Sequence, residues 1–420
     1  MAIEVLTAQA DTPERLALEL DFRLLAGSAA WAVKGFGAPE VEQSFTRARE
    51  LAAEVGNPAQ VVVALRGLFG CYYARGELTR AYAQAESVVA LARENASSGD
   101  LMVGHMLCGS IRYWQGRFGE ARGELETALA LYDPAEQAGR LLSSQIDPGV
   151  NARLHLGWTL WCQGFPDQAL ATSEEGLAVA RRIDQPFSLA MALFWNAATR
   201  LSCGAIDAVA AAAEELSSVT ARYQITYLGT CAIVLDGAVL IARGEPGPGV
   251  ARIQQAFGAF RSQQAGLGLP WAMSLAAEGC LRTGLTKEAL EIVAKALTIV
   301  QSNGEHQWEA ELHRLKGACL AALPGSDSEQ AEMNVYRALE IARRQGARSL
   351  ELRAATTLAR IAMPRGDKDI HLLLEGLYSG FSEGFDTADV LVAGRLLDEF
   401  RDRALEPASG RGGTDDLRAV

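Results

Sequence analysis

The sequence predicts an all-α solenoid, a right-handed superhelix of about nine helical hairpins. Three observations carry this. Turn glycines recur at Gly35, Gly76, Gly116, Gly164, Gly204, Gly244, Gly284, Gly325 and Gly366, with spacings of 41, 40, 48, 40, 40, 40, 41 and 41 residues. Self-similarity at such a period marks a repeat array. A small residue sits seven before most of these glycines: Ser28, Gly109, Gly157, Ala197, Gly237, Ala277, Ala318 and Ala359, with Phe69 as the exception. Apolar residues recur three, seven and ten before the glycine, as in Trp161, Gly157 and Leu154, which is one stripe of period 3.6.

An alanine follows five after several of the glycines, at Ala81, Ala121, Ala169 and Ala289. Small, Gly and Ala at this spacing form the tetratricopeptide (TPR) pattern, whose small side chains let paired helices approach closely. The period is about six residues longer than the usual ~34, so each helix gains a turn. HEAT and armadillo arrays share the period; the small-residue and alanine positions favour a TPR-like unit.

Taken in order, residues 1–11 read as a short leader. Asp11-Thr12-Pro13-Glu14 starts the first helix: a capping side chain, an early proline and an acid. The array then spans 12–403. Its eight extra residues fall between Tyr132 and Val150, around Asp133-Pro134 and Gln145-Ile146-Asp147-Pro148-Gly149, which is turn chemistry. Insertions in solenoids go to loops on one face, often the binding face. Asp184-Gln185-Pro186 and Gly268-Leu269-Pro270 separate later hairpins. A capping helix is expected near 386–403, and the Gly- and Asp-rich stretch 404–420 reads as a disordered tail.

Composition narrows the function classes. A repeat array overrides the two or three domains that 420 residues would suggest, because each unit packs only on its neighbours. Net charge is −12, against the basic face that nucleic-acid binding needs. The pairs Arg181-Arg182 and Arg343-Arg344 fall at expected helix C-termini, where the dipole favours them. Seven cysteines without a C-x-x-C read as small buried hydrophobes in a reducing cytoplasm. The first residues carry no signal-peptide pattern, and no apolar run approaches a membrane span.

No P-loop, G-x-S-x-G or H-E-x-x-H occurs, so no catalytic residue and no cofactor are expected. His306 and His313 share a helix face, but a metal site wants more ligands, so no metal is expected either. Aromatic and histidine residues concentrate in the middle repeats. Trp158 stands six and Trp195 nine before its turn glycine, just beside the buried stripe, where groove-facing side chains belong. Trp161, three before, belongs to the stripe. The expected partner or ligand site on the concave groove is Trp158, Trp195 and His155, with Trp114, Gln145 and Asp147 at its edge. Packing between repeats is the competing role for the rings, and Asp147 has the simpler role of capping its own turn.

Several strings resemble the C-terminal TPR region of bacterial multidomain signalling proteins that carry an adenylate/guanylate cyclase domain and an AAA-type ATPase module. They are 145–150 with 157–161 and 164–169, then Trp308–Gly317, Ser349–Ala355 and Glu383–Asp389. The resemblance covers roughly 12–400. It departs at Ile146, which interrupts a contiguous Gln-Asp-Pro-Gly, and in the lack of any cyclase or nucleotide-binding segment. The chain is either a fragment of such a protein or a free-standing copy. The resemblance implies a regulatory role and transfers no catalytic residue. Two functions follow: a scaffold that binds a protein partner or linked domain in its groove, or a small-molecule sensor with a pocket near repeats three to five. A closed pocket there favours the sensor; an open, continuous groove favours the scaffold.

Overall fold

A computed structural model of the chain describes residues 6, 10, 12–135, 146–262, 266–325, 328–365 and 367–405. The expected leader and tail fall almost wholly outside them. Among the described residues all repetitive structure is helical.

Among the described residues the chain forms nine hairpins and a final helix. They are α1 (Pro13–Lys34) with α2 (Pro39–Val55), α3 (Pro58–Arg75) with α4 (Leu78–Glu94), and α5 (Ser98–Trp114) with α6 (Phe118–Ala130). Next come α7 (Pro148–Cys162) with α8 (Pro166–Ile183), α9 (Pro186–Cys203) with α10 (Ile206–Tyr223), and α11 (Thr226–Ala242) with α12 (Pro246–Ser262). The last are α13 (Leu269–Arg282) with α14 (Thr286–Asn303), α15 (Glu309–Ala322) with α16 (Ser328–Gln345), and α17 (Arg348–Ala362) with α18 (Lys368–Ser379). Helix α19 (Ala388–Leu405) follows.

Local chemistry sets these boundaries. Thr12, Asn57, Ser97 and Asp147 each accept a backbone N–H of the first turn, and proline opens α1, α2, α3, α7, α8 and α9. Proline there loses nothing, since that N–H has no helical partner. Eight of the nine expected turn glycines are described, and all eight have φ between 70° and 90°. Arg181-Arg182 and Arg343-Arg344 do lie in the last turns of α8 and α16.

The small-residue positions are where paired helices touch. A Cβ on Gly237 would stand 2.7 Å from the carbonyl oxygen of Gly249 and 2.6 Å from Ile253 Cγ1. Replacing Gly237 by Leu should therefore force α11 and α12 apart and cost ~1–3 kcal/mol. A thermal melt unchanged by the substitution would show that the helices do not depend on this approach.

The array coils back on itself, which the repeat pattern does not announce. Phe36, in the first turn, meets Phe187 of α9 with ring centroids 5.8 Å apart. The next superhelical turn then seats on the first. Asn303, at the end of hairpin seven, packs on Gly76 of hairpin two; Gln345, at the end of hairpin eight, packs on Gly116 of hairpin three. One turn therefore takes about five hairpins, seven less two or eight less three. Farther along, Ser349 Oγ donates to Trp161 O, and Arg353 donates to Ser202 O at 3.4 Å.

The segment after α18 fastens this second turn. The Glu383 carboxylate accepts from the backbone N–H of Asp167 (2.9 Å) and of Gln168 (3.1 Å), capping α8 from 215 or more residues away. Gln168 Nε2 donates to its other oxygen, and Gly384 N donates to Asp167 Oδ2 at 3.1 Å. An acid at a helix N-terminus is favourable, and here it arrives from another superhelical turn.

Candidate functional site

A cavity of about 910 Å³ lies on the concave side, between hairpins one and seven. Its wall follows a helical ridge. Gly70, Ser110 and Trp158 lie six before their turn glycines, Arg66, Met106 and Phe194 ten before, and Asn151, Met191 and Trp271 thirteen before. Residues at i, i+3 and i+7 share one face, so α3, α5, α7, α9 and α13 each present the same face inward. The offset of ten had been placed in the buried stripe. Leu154 is indeed fully buried, but Phe194 at the same offset is half-buried and faces the cavity.

The expected site residues divide. Trp114, Trp158 and Trp195 line the cavity and are each about 95% buried. Their rings belong to one edge-to-face cluster: Trp195 stands 5.4 Å from Trp158, 5.8 Å from Trp114 and 5.9 Å from Tyr113. Such pairs are favoured by ring quadrupoles. The rings are thus wall and core together. Trp161 packs on Trp308, outside the lining, with centroids 5.8 Å apart.

His155 sits behind Trp195, ring centroids 4.5 Å apart, and is 1% exposed. Its Nδ1 is 3.0 Å from Asn151 O, and its Nε2 is 3.2 Å from Tyr73 Oη. A carbonyl only accepts, so Nδ1 carries the proton and Nε2 accepts from the Tyr73 hydroxyl. Tyr73 Oη in turn accepts from Trp114 Nε1 at 2.6 Å. Burial pushes the His155 pKa down to about 4, against a smaller upward effect of the Asn151 carbonyl. The imidazole is a neutral strut that orients two wall rings.

Asp147 lies outside the lining. It is 1% exposed, accepts from Val150 N at 2.9 Å as the cap of α7, and takes the Tyr132 hydroxyl at 3.1 Å. Gln145 lies outside the described residues. The insertion reaches the cavity through Ile146 instead. Residues from hairpins one, two and seven, such as Trp31, Phe69 and Trp271, complete the wall. Trp271 stands thirteen before its turn glycine and shares the inward face, whereas Trp31 and Phe69, four and seven before theirs, carry no such positional signal.

One buried acid stands at the seam. Glu305 is fully buried and accepts from Gly268 N (3.0 Å), Gln307 Nε2 (2.9 Å) and Asn303 Nδ2 (3.2 Å). Gln307 N donates to Trp114 O at 3.1 Å, tying the second turn to the cavity wall. Burial raises the Glu305 pKa to about 7, although its three donors pull the other way. The folded protein therefore holds a proton that the unfolded chain releases above its ordinary 4.5, and this contribution to stability is lost as pH rises through about 7. His155 acts oppositely: its contribution is present above 6.5 and lost as pH falls toward 4. Between pH 4.5 and 6.5 these two slopes oppose. Glu305→Gln removes the falling one, so stability should rise more steeply with pH in the variant than in the wild type. Urea midpoints at both ends of that window check this; parallel profiles for the two proteins would refute it.

His306 pairs with Glu309 at 3.0 Å. Among the described residues no group of three or more His, Cys, Asp or Glu side chains is placed to hold a metal ion. All seven cysteines are buried as free thiols, and burial raises their pKa values, to about 12 for Cys108 and Cys231. No helix among the described residues is long and apolar enough to cross a membrane.

No family model matches the chain. It is 25% identical over 277 residues to an uncharacterized protein of Rhizobium meliloti (strain 1021). The match takes in 66% of this chain and 27% of that protein, so the chain spans little more than a quarter of its relative's length. Among solved structures it is similar to a Rap protein complexed with competence and sporulation factor, with a TM-score of 0.56 at 10% identity. That likeness covers 93% of this chain and 99% of the other. The Rap conjugation gene regulator of plasmid pLS20, in complex with the Phr* peptide, gives 0.52 at 9% identity, covering 96% and 100%. The fold is a TPR-type solenoid. At these identities the likeness speaks for the fold alone.

Proposed function

We propose that the chain is a non-catalytic, TPR-type interaction and regulatory module of a bacterial signalling system. It works in the cytoplasm and takes an apolar segment of a protein partner, or of a linked signalling domain, into its concave cavity. The carrying observation is the cavity itself: about 910 Å³ of aromatic-walled space on the concave face. Tryptophan walls suit recognition because each ring offers a large apolar face at low entropic cost. The Rap structures, one with a bound factor and one with a bound peptide, support the reading. So does the match to a much longer bacterial protein.

The test narrows the cavity without removing core. Met191 is a half-buried wall residue on α9. Met191→Trp should narrow the cavity, leave thermal stability nearly unchanged, and weaken binding of a partner recovered from the source cell and identified by mass spectrometry. Equal affinity of the partner for both proteins would sink the reading.

A second reading, a small-molecule sensor, is favoured by the enclosure. Seven hairpins contribute to the wall, and the volume lies in the range of ligand pockets. Helix walls spend their backbone groups internally and leave few to pair with a peptide backbone.

A further inference from the structure

We propose that the cavity binds an uncharged, rigid aromatic molecule, held by ring-to-ring contact rather than by an ion pair. This deepens the small-molecule reading and rests on it. Rings make up more than a third of the described lining residues, against 7% of the whole chain. No aspartate or glutamate is among them. Arg66 is the one formally charged member, and it is already engaged. A cation therefore finds no acid in the described wall, and an anion finds no unengaged cation. Burying either without a partner is costly.

Polar side chains of the wall spend their hydrogens on the protein itself. Ser28 Oγ donates to Leu24 O at 3.0 Å, and Ser110 Oγ to Met106 O at 2.9 Å. The Tyr73 hydroxyl donates to His155 and accepts from Trp114, and the Tyr227 hydroxyl donates to Leu267 O at 3.4 Å. The indole N–H groups of Trp31 and Trp158 have no acceptor, but both nitrogens are buried within the protein. What remains open to a ligand is mostly hydrocarbon and ring surface. The rings are also fixed before anything binds. Trp158 stands 5.4 Å from Trp195 and 5.7 Å from Trp271, and Phe194 stands 5.9 Å from Trp271, all edge-to-face. A wall held in this way is preorganised, and it favours a rigid partner with little freedom to lose. Ring contacts also add to simple area burial, so a planar ring gains where a saturated one of the same carbon count does not.

The test uses N-phenylnaphthylamine, an uncharged aromatic dye whose emission rises in apolar sites. Its competitors are biphenyl, bicyclohexyl, biphenylcarboxylate and biphenylmethylammonium. Biphenyl should bind at least about tenfold more tightly than either charged analogue, because a buried charge without a partner is costly. It should also exceed bicyclohexyl by about two- to tenfold, the scale of one aromatic pair, after correction for their different transfer from water to alkane. Phe194→Leu, which removes a half-buried wall ring, should shrink that second preference. Met191→Glu, which puts a carboxylate on the wall, should weaken the dye at least about tenfold and raise the affinity of the ammonium probe. Circular dichroism checks that each variant is folded. A charged analogue binding as tightly as biphenyl, or bicyclohexyl doing so after that correction, would overturn the uncharged aromatic class. The cavity would remain a small-molecule site if Met191→Glu still weakened the dye. No binding of the dye, or binding that Met191→Glu leaves unchanged, would remove the small-molecule reading as well.

Discussion

Replacing Arg353 by alanine is expected to cost ~2–3 kcal/mol, the scale of removing a charged hydrogen-bond partner from a largely buried carboxylate. Arg353 joins α17 to α19 and to the first superhelical turn at once. It pairs with Asp389 at 2.7 Å and with Glu311 at 3.7 Å, donates to Ser202 O, and lies 4.8 Å over the Trp161 ring. Glu311 retains Arg314 at 2.8 Å, so Asp389 is the acid left most exposed to the loss. Burial already raises the Asp389 pKa, against the opposing pull of Arg353. Denaturant unfolding checks this. Arg353→Lys should recover part of the loss, since it restores the charge but not the planar stack. A wild-type midpoint for the alanine variant would mean the second turn holds without this residue.

The other large effect falls on the aromatic cluster. Trp195→Ala should cost ~3–5 kcal/mol, as large-to-small changes at buried aromatics do. Trp158→Ala should cost a similar amount. Because the two rings touch, the double variant should lose less than the sum of its parts, with coupling of about 0.5–3 kcal/mol. Far-ultraviolet circular dichroism should still show a helical protein, and partner affinity should be lost. Additive losses would mean the rings act as independent pieces of core. Intact affinity in the folded double variant would confine both to packing.

Much of the fold is legible in local residues because each hairpin is a local event. Gly164, Gly204 and their equivalents require positive φ, and Pro166 and Pro186 open the helices that follow the turn or the break; both facts need only neighbours in sequence. The site was half legible. Trp158 and Trp195 stood out because tryptophan is rare, whereas Arg66 and Met191 look like ordinary helix residues until the offset of ten or thirteen is known to face inward. The coil-back onto Gly76 and Gly116 was not legible. It depends on small rotations between hairpins that accumulate over five units, and no single residue encodes them. The string Glu383–Asp389 carries that information, since Glu383 and Gly384 reach back across the seam and Ala388 packs on Gly204.

That seam changes how the chain must reach its native state. An open solenoid has only short-range contacts, so it nucleates anywhere and zips quickly. Here Glu383 closes a loop of more than two hundred residues onto the start of α8, and Ser349 one of nearly two hundred onto α7. Closure entropy grows only logarithmically with such lengths, but it is paid late, after the hairpins exist. Folding therefore divides into a fast assembly of neighbours and a slower docking of the last hairpins on the middle ones. During synthesis the walls form first. The cavity wall is complete once hairpin seven is made, whereas the seam closes only after residues 383 and 384 follow.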